Sequence, residues 1–169
     1  SSFEKEDGNS CAEDIKKEIE KLNKLNVNAM ILDLRSNGGG SLKDVVDMSG
    51  LFIKDGPIVQ VKPRDKDAYL YEDEDPQVHY SGPLVVMVNQ FSASASEILA
   101  AALQDYNRAV IVGSNSTFGK GTVQRFVDLD RFYRDQENLN LGNLKITMQK
   151  FFRVNGGSTQ LQGVVPDII

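Results

Sequence analysis

A layered α/β domain is what this sequence predicts, from three observations. Short, strongly apolar runs of strand length occur at 29–34, 84–88 and 109–112. Between and after them, apolar residues recur at helical spacing over 11–25, over 42–53 and again at Ile98, Leu99, Ala102 and Leu103. Breaks rich in Gly, Asn and Ser separate the two patterns, as expected where strands are covered by helices.

The first helix is announced by Ser10-Cys-Ala-Glu13, which has capping-box spacing, and by Ile15, Ile19 and Leu22 on one face. Ala29-Met-Ile-Leu-Asp-Leu34 then predicts a strand buried on both faces. Asn37-Gly-Gly-Gly40 breaks the chain, and Leu42, Val45, Val46 and Phe52 predict a second helix over 42–53. Ile58-Val-Gln-Val61 reads as a strand and 62–82 as a polar surface excursion. Leu84-Val-Val-Met-Val88 is the strongest buried strand, and it runs into Gln90-Phe-Ser-Ala-Ser-Ala-Ser-Glu-Ile98, a helix start. Another strand at 109–112 leads into Thr117-Phe-Gly-Lys-Gly-Thr-Val-Gln124. Residues 128–143 read as a polar loop, and the imperfect alternation from Ile146 to Val154 before Asn155-Gly-Gly157 makes the C-terminal part β-rich.

Composition excludes several classes. With 169 residues, 40% of them apolar, the chain supports one core. A net charge of −5 argues against nucleic acid as a partner. No apolar run reaches the ~20 residues of a membrane helix, so membrane association is not indicated. Cys11 is the single cysteine, so no internal disulfide is possible, and it reads as a structural or incidental thiol. Glu72-Asp-Glu-Asp75 carries carboxylates with no His or Cys at ligand spacing and reads as a solvated loop; no metal or cofactor is expected. His79 reads as a surface residue. The start at Ser1-Ser-Phe-Glu4 suggests a piece of a longer protein.

The chemistry points to nucleophilic catalysis. Three serines, Ser92, Ser94 and Ser96, stand at a strand-to-helix junction, where free helix amides and the dipole favour an oxyanion. On their own they are better read as caps and close-packing residues. With one histidine, in an acidic stretch, a Ser-His-Asp triad is hard to assemble, but a desolvated lysine amine can take the serine proton. Lys120, flanked by Gly119 and Gly121, is the candidate. The loop Gly113-Ser-Asn-Ser-Thr-Phe-Gly-Lys-Gly121 imitates a phosphate loop but fails its tests. Five residues separate its glycines, and Gly121 stands where the magnesium-binding hydroxyl belongs.

Asp33-Leu-Arg-Ser-Asn-Gly-Gly-Gly40, Phe91-Ser-Ala-Ser-Ala-Ser-Glu97, Thr117-Phe-Gly-Lys-Gly-Thr-Val-Gln124 and Gly163-Val-Val-Pro-Asp-Ile168 occur here in the order found in the tail-specific (carboxy-terminal processing) proteases. Gln149-Lys-Phe-Phe-Arg-Val-Asn-Gly-Gly-Ser-Thr-Gln-Leu161 resembles the periplasmic branch of that family. The resemblance implies a crotonase- or Clp-protease-like core. It also implies Ser94 as nucleophile, Lys120 as general base, Gln124 positioning the lysine amine, Asp105 as a further functional acid, and the amides of Gly40 and Ala95 as oxyanion hole. It further implies protein or peptide substrates with nonpolar C-termini and a periplasmic or cell-envelope location. Nothing in 1–169 resembles the PDZ domain of that family, so the chain reads as a single catalytic core. Two alternatives stay open: a peptide-binding relative that does not cut, and an acyl-CoA enzyme of the crotonase type.

Overall fold

The computed structural model describes residues 10–132 and 140–169. The chain runs α1 (Cys11–Lys24), β1 (Met30–Asp33), α2 (Leu42–Gly50), β2 (Gly56–Pro63), β3 (Tyr69–Asp73), β4 (Leu84–Val88), α3 (Ala95–Asp105), β5 (Val110–Gly113), β6 (Thr122–Asp128) and β7 (Asn143–Phe152), with a 3-10 turn at Leu129–Phe132. Two sheets result. One is parallel, in the order β1-β4-β5, and the other is antiparallel, in the order β3-β2-β7-β6.

α3 packs on α2, on β5 of the parallel sheet and on β2 of the antiparallel one. Every residue from Ala95 to Leu103 is buried, which explains why its middle is Ala100-Ala-Ala102: small side chains let neighbours close in on all sides. Leu99 and Leu103 are fully buried, each contributing about 2 kcal/mol by leaving water. The core continues through Ile19 of α1, Val45 and Met48 of α2, and Ile58, Val59 and Val61 of β2.

Several expectations need correction. β1 is not buried on both faces: Met30 is buried, but Ile31 is 63% exposed, because this strand is the edge of its sheet and its outer face is uncovered among the described residues. β4 likewise alternates buried and half-buried positions. The second helix stops at Gly50, before Phe52, and β2 is longer than Ile58–Val61. The excursion at 62–82 contains β3, which pairs with β2 through Tyr69, Leu70 and Tyr71. Of the loop expected at 128–143, residues 133–139 lie outside the described residues. Ser10 precedes α1, but its hydroxyl donates to Asp44 Oδ1 at 2.9 Å instead of capping the helix. Cys11 is half-buried, and burial first, then Asp44 and Asp14, pushes its thiol above its ordinary pKa, which disfavours the thiolate. The His79 side chain is only 8% exposed and so is not the surface residue expected.

The acidic run is not wholly solvated either. Asp73 Oδ2 is buried without a hydrogen-bond partner among the described residues, and the carboxylate lies against Gly50 at the C-terminal end of α2. Burial above all raises its pKa; the hydrogen bond from the Asp75 amide opposes the rise, and the charges of Asp75, Asp47 and Asp55 add to it. A carboxyl raised in the folded state penalises folding once it ionises, so the penalty is absent in acid and complete above its folded pKa. Asp73→Asn will therefore raise the melting temperature by a few degrees near neutral pH. The gain will shrink as pH falls through the carboxylate range. A melting curve in which the variant has the same advantage at acidic and neutral pH would contradict this.

Candidate active site

Three segments from different parts of the chain meet at the N-terminus of α3: the glycine loop after β1, the serine turn after β4, and the lysine loop after β5. Asn37 laces the first two together. Its carbonyl accepts from the Ala93 amide and from the Ser96 hydroxyl, both at 2.9 Å, and its Oδ1 accepts from Gly39 N at 3.0 Å. Gly39 adopts φ +96°, and a Cβ there would stand 2.7 Å from Ala93 O and Ala95 N and 2.8 Å from Ser94 Cβ. Only glycine allows the loop to lie this close to the serine turn.

The three serines separate cleanly. Ser92 and Ser96 are fully buried, and their hydroxyls donate to Leu34 O at 2.8 Å and to Asn37 O at 2.9 Å. They hold the turn. Ser94 is half-buried and lines a cavity of about 130 Å³. Its backbone sits at φ 57°, ψ −112°, a conformation that costs a residue with a Cβ on the order of 1–3 kcal/mol and is found where surrounding structure enforces it. The residue after it, Ala95, opens α3, so its N–H has no intrahelical acceptor.

The cavity is lined by Ser94, Lys120, Gln124, Gly40 and Ala95, with Leu42, Ile98 and Phe151 supplying apolar wall. Five of the six residues that the sequence proposed thus share one small space. Asp105 does not. It ends α3 and forms a two-pronged ion pair with Arg153, Nη2 to Oδ1 at 2.7 Å and Nε to Oδ2 at 3.1 Å. Larger clefts exist, one of about 340 Å³ between α1, α2 and the 73–79 segment; it too is lined by a serine and lysines, Ser10, Lys16 and Lys43, but the Ser10 hydroxyl is spent on Asp44 Oδ1. Among the described residues no group of three or more His, Cys, Asp or Glu side chains could hold a metal ion.

One residue that carries the site escaped the sequence reading. Glu97, at the third position of α3, is fully buried and accepts four hydrogen bonds. Oε2 takes the amides of Ser94 at 2.8 Å and Lys120 at 2.9 Å, while Oε1 takes the Thr117 hydroxyl at 2.6 Å and the Gly119 amide at 2.7 Å. A carboxylate this deep would be expensive without such partners, and the start of a helix is the favourable end for its charge. It ties the residue before the helix to the lysine loop in one step. The signal was available: Ser94-x-x-Glu97 has the same spacing as Ser10-x-x-Glu13.

Comparisons with known proteins bear on the family. The chain matches Peptidase family S41 over residues 1–169. It is 54% identical over 156 residues to the tail-specific protease of Haemophilus influenzae, a span of 92% of this chain and 22% of that protein. It is 38% identical to the carboxy-terminal-processing protease of Bartonella bacilliformis, covering 82% of this chain and 30% of the relative. The chain therefore spans less than a third of the length of these relatives. Among solved structures, the photosystem II D1 C-terminal processing protease superposes with a TM-score of 0.81 at 31% identity, over 99% of this chain and 40% of that one. Mature CPAF, at 17% identity and a TM-score of 0.76, shares the fold. The four ordered motifs, the α/β architecture and the match across the whole sequence place this chain in peptidase family S41.

Proposed function

We propose that this chain is the catalytic core of a serine endopeptidase that works through a Ser94–Lys120 dyad. The observation that supports the reading most is the shared cavity, which Ser94, Lys120, Gly40 and Ala95 all line. Ser94 attacks the scissile carbonyl as neutral Lys120 takes its proton, and the amides of Gly40 and Ala95 receive the developing oxyanion. The tetrahedral species collapses to an acyl-enzyme, and the leaving amine departs with a proton from lysine. Lysine then deprotonates the water that releases the acyl group. Gln124, on β6 beside the lysine loop, orients the amine. No step calls for a cofactor.

The substrates we assign are proteins with nonpolar C-terminal tails, and the location is the periplasm or cell envelope. The support is likeness to tail-specific and carboxy-terminal-processing proteases. Among the described residues no helix is long and apolar enough to cross a membrane. Tail recognition is assigned to a PDZ unit outside residues 1–169. The test uses the intact protein and one substrate carrying either a nonpolar tail or the same tail ending in charged residues. The nonpolar version will be cut faster by roughly tenfold or more, and residues 1–169 alone will be slower and less selective. Equal rates on both tails would refute tail recognition.

A further inference from the structure

We infer that the segment Arg153–Gly163 is a strap that positions Lys120, anchored at its far end by the Asp105–Arg153 ion pair. This rests on Lys120 acting as the base.

All six backbone polar groups of Gly119-Lys-Gly121 are engaged, and the labour is divided. Glu97 takes the amides of Gly119 and Lys120, and Phe151 N donates to Gly121 O at 3.0 Å. The other three go to the strap. Leu161 N donates to Gly119 O at 2.8 Å, the Thr159 hydroxyl donates to Lys120 O at 3.2 Å, and Gln160 Oε1 accepts from Gly121 N at 2.8 Å. The fit is close: a Cβ on Gly121 would stand 2.8 Å from Gln160 N. Lysine has a long side chain, so its amine reaches a fixed point only if its backbone root is fixed from both sides.

The strap is itself tied at both ends. At the near end, Val164 N donates to Thr117 Oγ1 at 2.7 Å, and Thr117 N returns a bond to Val164 O at 3.1 Å. At the far end, Arg153 grips Asp105, and Asn155 Nδ2 adds a third bond to Asp105 Oδ1 at 2.9 Å. The Arg153 amide closes the turn on Gly157 O at 2.7 Å. A carboxylate on the last residue of α3 faces the negative end of the helix dipole, so local helix stability does not account for Asp105. Its partners on the strap do. Asp105, Arg153, Thr159 and Gln160 are thus positioning residues, acting on the reaction through the lysine backbone.

The experiment measures kcat, KM and melting temperature in the intact protein for Thr159→Val, Gln160→Ala and Asp105→Asn, with Lys120→Arg alongside. Thr159→Val keeps the side-chain shape and removes only the hydroxyl. The expected result is a fall in kcat of roughly 10- to 100-fold, with KM and melting temperature close to the parent. The exchange Asp105→Arg with Arg153→Asp should recover part of the activity that Asp105→Asn loses. Unchanged kcat in Thr159→Val and Gln160→Ala, beside an inactive Lys120→Arg, would overturn the strap and leave the dyad standing. So would losses of activity that track losses in melting temperature. An active Lys120→Arg would overturn the dyad and the strap together.

Discussion

Lys120→Arg, like Ser94→Ala, will lower kcat by about 10⁴-fold or more in the intact protein while leaving the melting temperature near that of the parent. The arginine variant is the more telling of the two. It retains a positive charge beside the proposed oxyanion site, so whatever electrostatic help Lys120 gives is largely preserved. What it lacks is a nitrogen that can exist unprotonated near neutral pH. Substantial activity in Lys120→Arg would leave the lysine with an electrostatic role only. The pair should also be non-additive, because a nucleophile without its base and a base without its nucleophile are equally idle. A double variant much slower than either single one would show independent contributions. Activity surviving in Ser94→Ala would require another hydroxyl, and the structure limits that choice, since Ser92 and Ser96 are buried and spend their protons on Leu34 O and Asn37 O.

The parts of the fold legible in the sequence are those set by local chemistry. Apolar runs and helical spacing located α1, α2, α3, β1, β4 and β5, because burial acts on each residue where it stands. Exposure of Ile31 was not legible, since whether a strand face is covered depends on what lies across the sheet and not on the strand. β3 was hidden by the acidic residues around it: Tyr69-Leu-Tyr71 gains its strand conformation from pairing with β2, a contact between distant residues. The catalytic candidates came from motif resemblance, and that same resemblance grouped Asp105 with them. What separates Asp105 from the cavity is where α3 ends and where Arg153 returns, and neither can be read from spacing. Glu97 was passed over for the opposite reason. Capping-box spacing recurs in the chain, and only the packed structure reveals that Ser10 turns to Asp44 while Glu97 gathers four donors.

Glu97→Gln will cost both stability and activity, and more than a surface substitution of the same kind. A glutamine keeps the shape but has one acceptor oxygen, and its NH₂ must face two of the four donors. If the amide oxygen stays with Thr117 and Gly119, the NH₂ confronts the amides of Ser94 and Lys120. If it flips, the NH₂ confronts Gly119 N and the Thr117 hydroxyl. Either way at least one buried backbone N–H is left without an acceptor, at about 1–3 kcal/mol for each group. For a domain of this size the melting temperature should fall by roughly 5–10 °C. The activity loss follows from which groups are released. Ser94 sits at φ 57° partly because Glu97 holds its amide, and the Lys120 loop is held by the same carboxylate. Freed from it, Ser94 and the Lys120 loop relax independently, and kcat measured well below the melting transition should drop roughly 100-fold. Glu97→Asp is the sharper control: it restores the charge but withdraws it by one methylene, so it should recover stability only in part and catalysis less. A Glu97→Gln protein with the melting temperature and kcat of the parent would mean that this carboxylate is a bystander to the geometry it joins.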